Sequence, residues 1–232
     1  MTDIRELDEP RSRRDRPAKP SLSRAVITTT ALDLVRQDGL DAVTLRKVAE
    51  RLDTGPSSLY VYVANREELL ERMFDCVLSE VPAVKVSTWK WRERLAELFS
   101  GMLAALDRYP GVAHAGLGSM STTPGGLAIV ENALALLLAG GVPDQAAAWA
   151  CDALLLYTLA TAVERAIERR PTLPGHKSPD KDYAGAAREL FRSLPSGRYP
   201  HLSRLAVTMT AGGHAERFEF GLNALIRGAW EG

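Results

Sequence analysis

Two cysteines, Cys76 and Cys151, are all the thiols in 232 residues. That excludes a disulfide framework and makes a reducing cytoplasm the expected setting. Neither sign of charge prevails: 29 Lys and Arg balance 29 Asp and Glu, so net charge points to no acidic or basic partner. No uninterrupted apolar run approaches the ~18 residues of a membrane span, and the Ala/Leu stretch 133–139 is far shorter. The opening MTDIRELDEP lacks the basic start and apolar core of a signal peptide. Period-two strand patterns and internal repeats are missing. So are a His-Glu-x-x-His pair, a glycine-rich phosphate loop and a nucleophile elbow. The histidines at 114, 176, 201 and 214 are scattered. These absences lead to the expectation of a soluble cytoplasmic protein with no membrane anchor, no cofactor and no catalytic constellation.

What is there reads as helix. A hydrophobic fraction of 46% is enough for a core. Residues 1–20 hold Pro10, Pro17 and Pro20, and a basic run from Arg11 to Arg24 answered only by Asp15, which predicts a disordered basic arm. A first helix is expected from Ser21 or Ser23, with Ile27, Ala31, Leu34 and Val35 on one face and Gly39 at its end. Thr44 caps a short second helix carrying Leu45, Val48, Ala49 and Leu52. A third is expected over Pro56–Val63. Asn65 and Glu68 match a capping box opening a fourth helix to about 80. Further helices are expected from Thr88 to about 109, and over 112–117, 124–139, 144–170, 183–194, 200–211 and 214–230. Residues 171–182, with three prolines and a glycine, separate the long helix from the last three. The expected fold class is all-α: a three-helix head over 21–68, with the helix-turn-helix at 44–63, on a larger body over 69–232.

The segment DTGPSSLYVYVANR (53–66) admits two readings from pattern alone. It can be a corner between buried helices, with its tyrosines in a seam. It can equally be a surface element whose short hydroxyls and phenols meet phosphates. The wider segment TLRKVAERLDTGPSSLYVYVANREELL (44–70), preceded by ALDLVRQDGLDAVT (31–44), resembles the DNA-binding head of the TetR family of bacterial transcriptional regulators. RYPGVAHAGLG (108–118), TLATAVERA (158–166) and FEFGLNALIRG (218–228) resemble the tetracycline-repressor type of body within that family.

The resemblance implies a recognition helix, a homodimer on a palindromic double-stranded operator, and a small-molecule effector that releases a repressor from DNA. It assigns Arg46 to a guanine. Thr44, Ser57, Ser58, Tyr60, Tyr62 and Arg66 then position the backbone, with Lys47, Gly55 and Pro56 beside them. Asp53 stands where the family carries a turn glycine, which requires an aspartate in the left-handed region. For a mostly apolar effector the candidates are Phe99, Met102, His114, Asn132, Trp149, Tyr157 and Glu164. His114 is out of register with the family's metal-linked histidine, so no metal is expected. The dimer interface is expected on Ala147, Ala150, Leu154, Phe218, Gly221, Leu222 and Leu225, where small and large apolar residues alternate. The rival reading is a helical small-molecule-binding or enzymatic protein whose head no longer reads DNA. Steep salt dependence on duplex DNA separates the two.

Overall fold

The computed structural model describes residues 21–117, 122–169 and 183–229. The arm 1–20 and all of 171–182 lie outside the described residues, so the expectations for them have no structural counterpart. Among the described residues there are helices and 3-10 turns and no strand.

Helix α1 (Arg24–Asp38) starts where Ser23 accepts from the Val26 amide at 3.2 Å, and ends at Gly39. A 3-10 turn (Leu40–Ala42) leads into α2 (Leu45–Arg51), capped by Thr44, whose hydroxyl accepts from the Lys47 amide at 3.1 Å. Helix α3 (Pro56–Leu59) is a single turn, shorter than expected. It tightens past Leu59, where the amides of Tyr62 and Val63 both reach the Leu59 carbonyl. It stops because Asn65 must be extended to cap α4 (Arg66–Ser79).

The body is built from α5 (Trp91–Asp107), a 3-10 turn (Val112–Gly116), α6 (Pro124–Ala139) and α7 (Asp144–Glu168), followed by α8 (Tyr183–Ser193), α9 (Pro200–Met209) and α10 (His214–Gly228). Helix α5 begins three residues later than Thr88 suggested, because the chain at Val84 is held by Asn132 of α6. That amide accepts from the Val84 N–H at 2.7 Å and donates to its carbonyl at 2.9 Å. Helices α8 and α9 pack on each other as a hairpin.

The core does not divide at residue 68. Buried side chains form one cluster from Ile27 to Ile226, and α4 carries it across, burying Leu69, Met73, Phe74, Val77 and Leu78. Helix α6 meets α4 almost backbone to backbone. The Asp75 carboxylate accepts from the Gly125 amide at 2.7 Å, a favourable charge at a helix start. A Cβ on Gly125 would sit 2.6 Å from the Asp75 carbonyl oxygen, so only glycine allows that approach.

Helix α7 is, by length and composition, apolar enough to cross a membrane, although it holds no uninterrupted apolar run. One face packs on α5, α6 and α10. The join to α10 is fitted around Tyr157, whose ring stacks on Phe218 with centroids 5.5 Å apart and whose hydroxyl donates to the Arg217 carbonyl at 3.0 Å. A Cβ on Gly221 would fall 2.2 Å from that hydroxyl oxygen. Gly221→Ala is expected to force the two helices apart and cost about 1–3 kcal/mol, measured by urea unfolding against the parent protein.

Candidate nucleic-acid interface and its lever

The head presents α3 through a turn in which Asp53 takes φ 50, the one positive-φ residue other than glycine among those described. The aspartate makes this turn by adopting the left-handed conformation that short polar side chains tolerate. Leu59 and Val63 turn inward and are fully buried. Ser57 and Tyr60 face outward, Tyr60 with 58% exposure, as does Pro56. Ser58 is half-buried. Tyr62, expected to reach outward, is half-buried and packs against the core.

The cations differ most from the sequence reading. Arg66, expected on a phosphate, turns inward: its guanidinium donates to the carbonyls of Val43 at 3.0 Å and Leu40 at 3.3 Å. It thereby pins the 3-10 turn and the entry to α2. Lys47 pairs with Asp38 at 2.8 Å. Arg46 projects outward, its side chain 83% exposed, and among the described residues its partner is Glu50 at 3.0 Å one turn on. An exposed i,i+4 pair of this kind is worth a few tenths of a kcal/mol, about 0.3–0.5, so Arg46 is easily released to another partner.

Two sets of contacts join head to lever. At the start of α4, Asn65 accepts from the Glu68 amide at 2.8 Å, and the Glu68 carboxylate accepts from the Ala64 amide at 2.6 Å. The capping box closes on Ala64 rather than on Asn65 itself. At the far end, Arg36 of α1 donates to the Tyr109 hydroxyl at 2.6 Å, and that hydroxyl donates to Glu80 at 3.0 Å. Arg108 also pairs with Glu80. Nothing in the sequence pattern singles out this chain of contacts. Burial, and then the Glu80 carboxylate, raise the Tyr109 phenol above its ordinary value, so it stays a donor throughout the physiological range.

The effector candidates do not converge. Phe99 and Met102 are fully buried on α5. Asn132 is occupied by Val84, and Tyr157 by the backbone of α10. His114 lies in the 3-10 turn with Nδ1 2.9 Å from the Gly111 carbonyl oxygen. Trp149 and Glu164 are exposed on α7. No group of three or more metal-binding side chains occurs among the described residues. A groove of about 730 Å³ opens between α5 and α10. It contains none of these residues and is rimmed by Arg92, Glu93, Glu97 and Arg227.

The dimer candidates lie on the intended helices but largely on their inner faces. Ala147, Leu154, Phe218 and Leu222 are buried within the single chain; Ala150, Gly221 and Leu225 are half-buried. The outer faces of the same helices carry Trp149 at 69% exposure, Leu156 and Ile167 on α7, and Phe220 at 78% on α10.

Residues 27–73 match the family described as "Bacterial regulatory proteins, tetR family". Residues 65–231 match "Tetracyclin repressor-like, C-terminal domain". This chain belongs to the TetR family. The transcriptional repressor DrrR1 of Streptomyces coeruleorubidus is 28% identical to it over 218 residues, spanning 93% of this chain and 80% of the relative. The class G tetracycline repressor protein of Vibrio anguillarum is 27% identical over 213 residues, spanning 89% and 93%. The TetR-family protein ActR of Streptomyces coelicolor, solved in complex with actinorhodin, superposes with a TM-score of 0.79 at 32% identity, covering 90% of this chain and 96% of ActR. As a TetR-family member the chain is a ligand-responsive, DNA-binding transcriptional regulator, and its helix-turn-helix is the DNA-binding element.

The regulator's head is held by carboxylates whose pKa values are lowered. Glu68 is lowered chiefly by the Ala64 amide and then by Arg72, and Asp38 by its hydrogen bond and then its charge contact with Lys47. Each contributes stability above its ordinary value, 4.5 for Glu68 and 3.8 for Asp38, and loses it as pH falls through the lowered folded value. The stability gap between the parent protein and Glu68→Gln is therefore expected to be full at neutral pH and to close on acidification through the carboxylate range. Thermal unfolding at pH 3 to 7 follows it.

Proposed function

We propose that this chain is a homodimeric repressor that occupies a palindromic operator and leaves it when a mostly apolar small molecule binds the body. The observation that carries the reading is the construction of the head: a capped helix-turn-helix whose exposed face stands on α4, the helix continuous with the body's core. One such head reads few base pairs, so useful affinity requires two heads at fixed spacing. Activity on DNA places the regulator in the cytoplasm, and the reading requires no enzymatic step.

The dimer forms through the outer faces of α7 and α10. Trp149, Leu156 and Phe220 lie there on adjacent helices, and an apolar face of this kind marks an association surface. A second copy also accounts for α7, only a third of whose most apolar window is buried in one chain. Phe220→Glu is expected to shift the protein from dimer to monomer in sedimentation velocity at micromolar concentration. An unchanged sedimentation coefficient would move the interface elsewhere.

The effector is taken up by the helical body rather than by the head. ActR has been solved with actinorhodin and with (S)-DNPA, which supports an organic ligand in a body of this type. The ligand acts by preferring one spacing of the heads, and shifts the equilibrium only by its differential affinity for the two spacings.

Fluorescence anisotropy on the DNA upstream of its own gene and on a scrambled duplex, at two salt concentrations, tests the reading. Tight binding confined to the upstream duplex, weakening steeply with salt, is expected. Equal affinity for both duplexes would refute an operator there. Arg46→Ala is expected to cost about 1–3 kcal/mol on the operator and relax one base position. Equal weakening on random DNA would instead assign Arg46 to phosphate.

A further inference from the structure

The residues that α3 and its following turn leave outside are Pro56, Ser57, Tyr60, Val61 and Ala64. They lie on the outer side of α3 and of the turn that follows it, while Leu59 and Val63 turn inward. This face carries no carboxamide, guanidinium or ammonium. Val61 is its most exposed large apolar group, 77% accessible, and sits one residue beyond Tyr60. The cations of the described head are meanwhile engaged with the protein. Arg24 donates to the Tyr62 carbonyl, Arg36 to Tyr109, and Arg51 to Gln37. Arg46 pairs with Glu50, Lys47 with Asp38, and Arg66 is bonded to Val43 and Leu40.

A groove-facing surface of this composition cannot make the paired hydrogen bonds that identify guanine or adenine. What it can identify is the one apolar mark in the major groove, the C5-methyl of thymine. We propose that Val61 is a specificity-determining residue that reads a thymine methyl in each half-site, so that the operator contains a thymine contacted by packing alone. This rests on the proposed DNA-binding function and deepens it. The stripe is one turn long, far short of the roughly 800 Å² that each partner of a stable protein complex contributes. It also includes the Ser57 hydroxyl and the Tyr60 phenol, which suits a nucleic-acid duplex better than a protein partner.

Removing one methyl group from the contact is expected to weaken binding about three- to fivefold. The full-length protein is used to select binding sites from a random duplex pool. Each thymine of a selected site is then replaced singly by deoxyuridine, which deletes the methyl and preserves pairing. At one or more positions in each half-site, the parent protein should bind the uracil duplex three- to fivefold more weakly. Val61→Ala should bind the thymine duplex with that same deficit and no longer distinguish thymine from uracil there. Matching thermal unfolding of the two proteins confirms that the exposed substitution leaves the head folded, and the uracil series on the parent protein needs no variant at all. Selective, salt-sensitive binding that is indifferent to uracil at every position overturns the proposal and leaves the regulator reading intact. A Val61→Ala protein that keeps the uracil penalty assigns the methyl to another side chain, and also overturns it. A pool that yields no preferred sequence overturns the DNA-binding reading and this proposal together.

Discussion

Helix α4 is the constraint on which the rest depends, because it is a wall of two structures at once. Its first turn is fastened into the head by Asn65 and Glu68, and its middle buries Met73, Phe74 and Val77 in a core that extends into the body. At its end, Glu80 is gripped by Tyr109 and Arg108, with Arg36 reaching over from α1. The 3-10 turn at Val112–Gly116 and the first turn of α6 both lie against it. Those body elements and the head therefore share one close-packed wall, and close-packed interfaces transmit strain rather than absorb it. A regulator needs that property between its ligand and its DNA.

The head applies the same logic on a smaller scale. Its cations are directed at its own carbonyls and carboxylates, which fixes a very short recognition element in place. Arg66 is the clearest case: its two donors tie α4 to the chain on either side of Ala42. Rigidity of this kind lets a single helical turn present one face reproducibly.

Much of this was legible in the sequence, because the signals were local. Ser23, Thr44 and Asn65 each bond to an amide three residues on, and those spacings fix helix starts. Helical periodicity gave Leu69, Met73 and Val77 their inward face. Which side of α7 faces out was not legible. Apolar residues fall on several sides of that helix, so periodicity cannot say which side meets its own chain, and Ala147 and Leu154 are buried inside while Trp149 faces out. The partners of Asn132 and Tyr157 were illegible for a related reason: both look like free polar groups until Val84 and Arg217 are seen to occupy them.

By itself the sequence determined the all-helical class and the position and caps of the helix-turn-helix, because each follows from interactions spanning a few residues; the left-handed turn at Asp53 was implied by the family resemblance. Only the tertiary structure decided that Arg66 serves the fold, that Tyr62 turns inward, that Val61 stands exposed, and that Arg36 meets Tyr109 across 73 positions of chain. Those outcomes depend on which surfaces the packing of α1, α4 and α5 brings face to face. No local spacing encodes that.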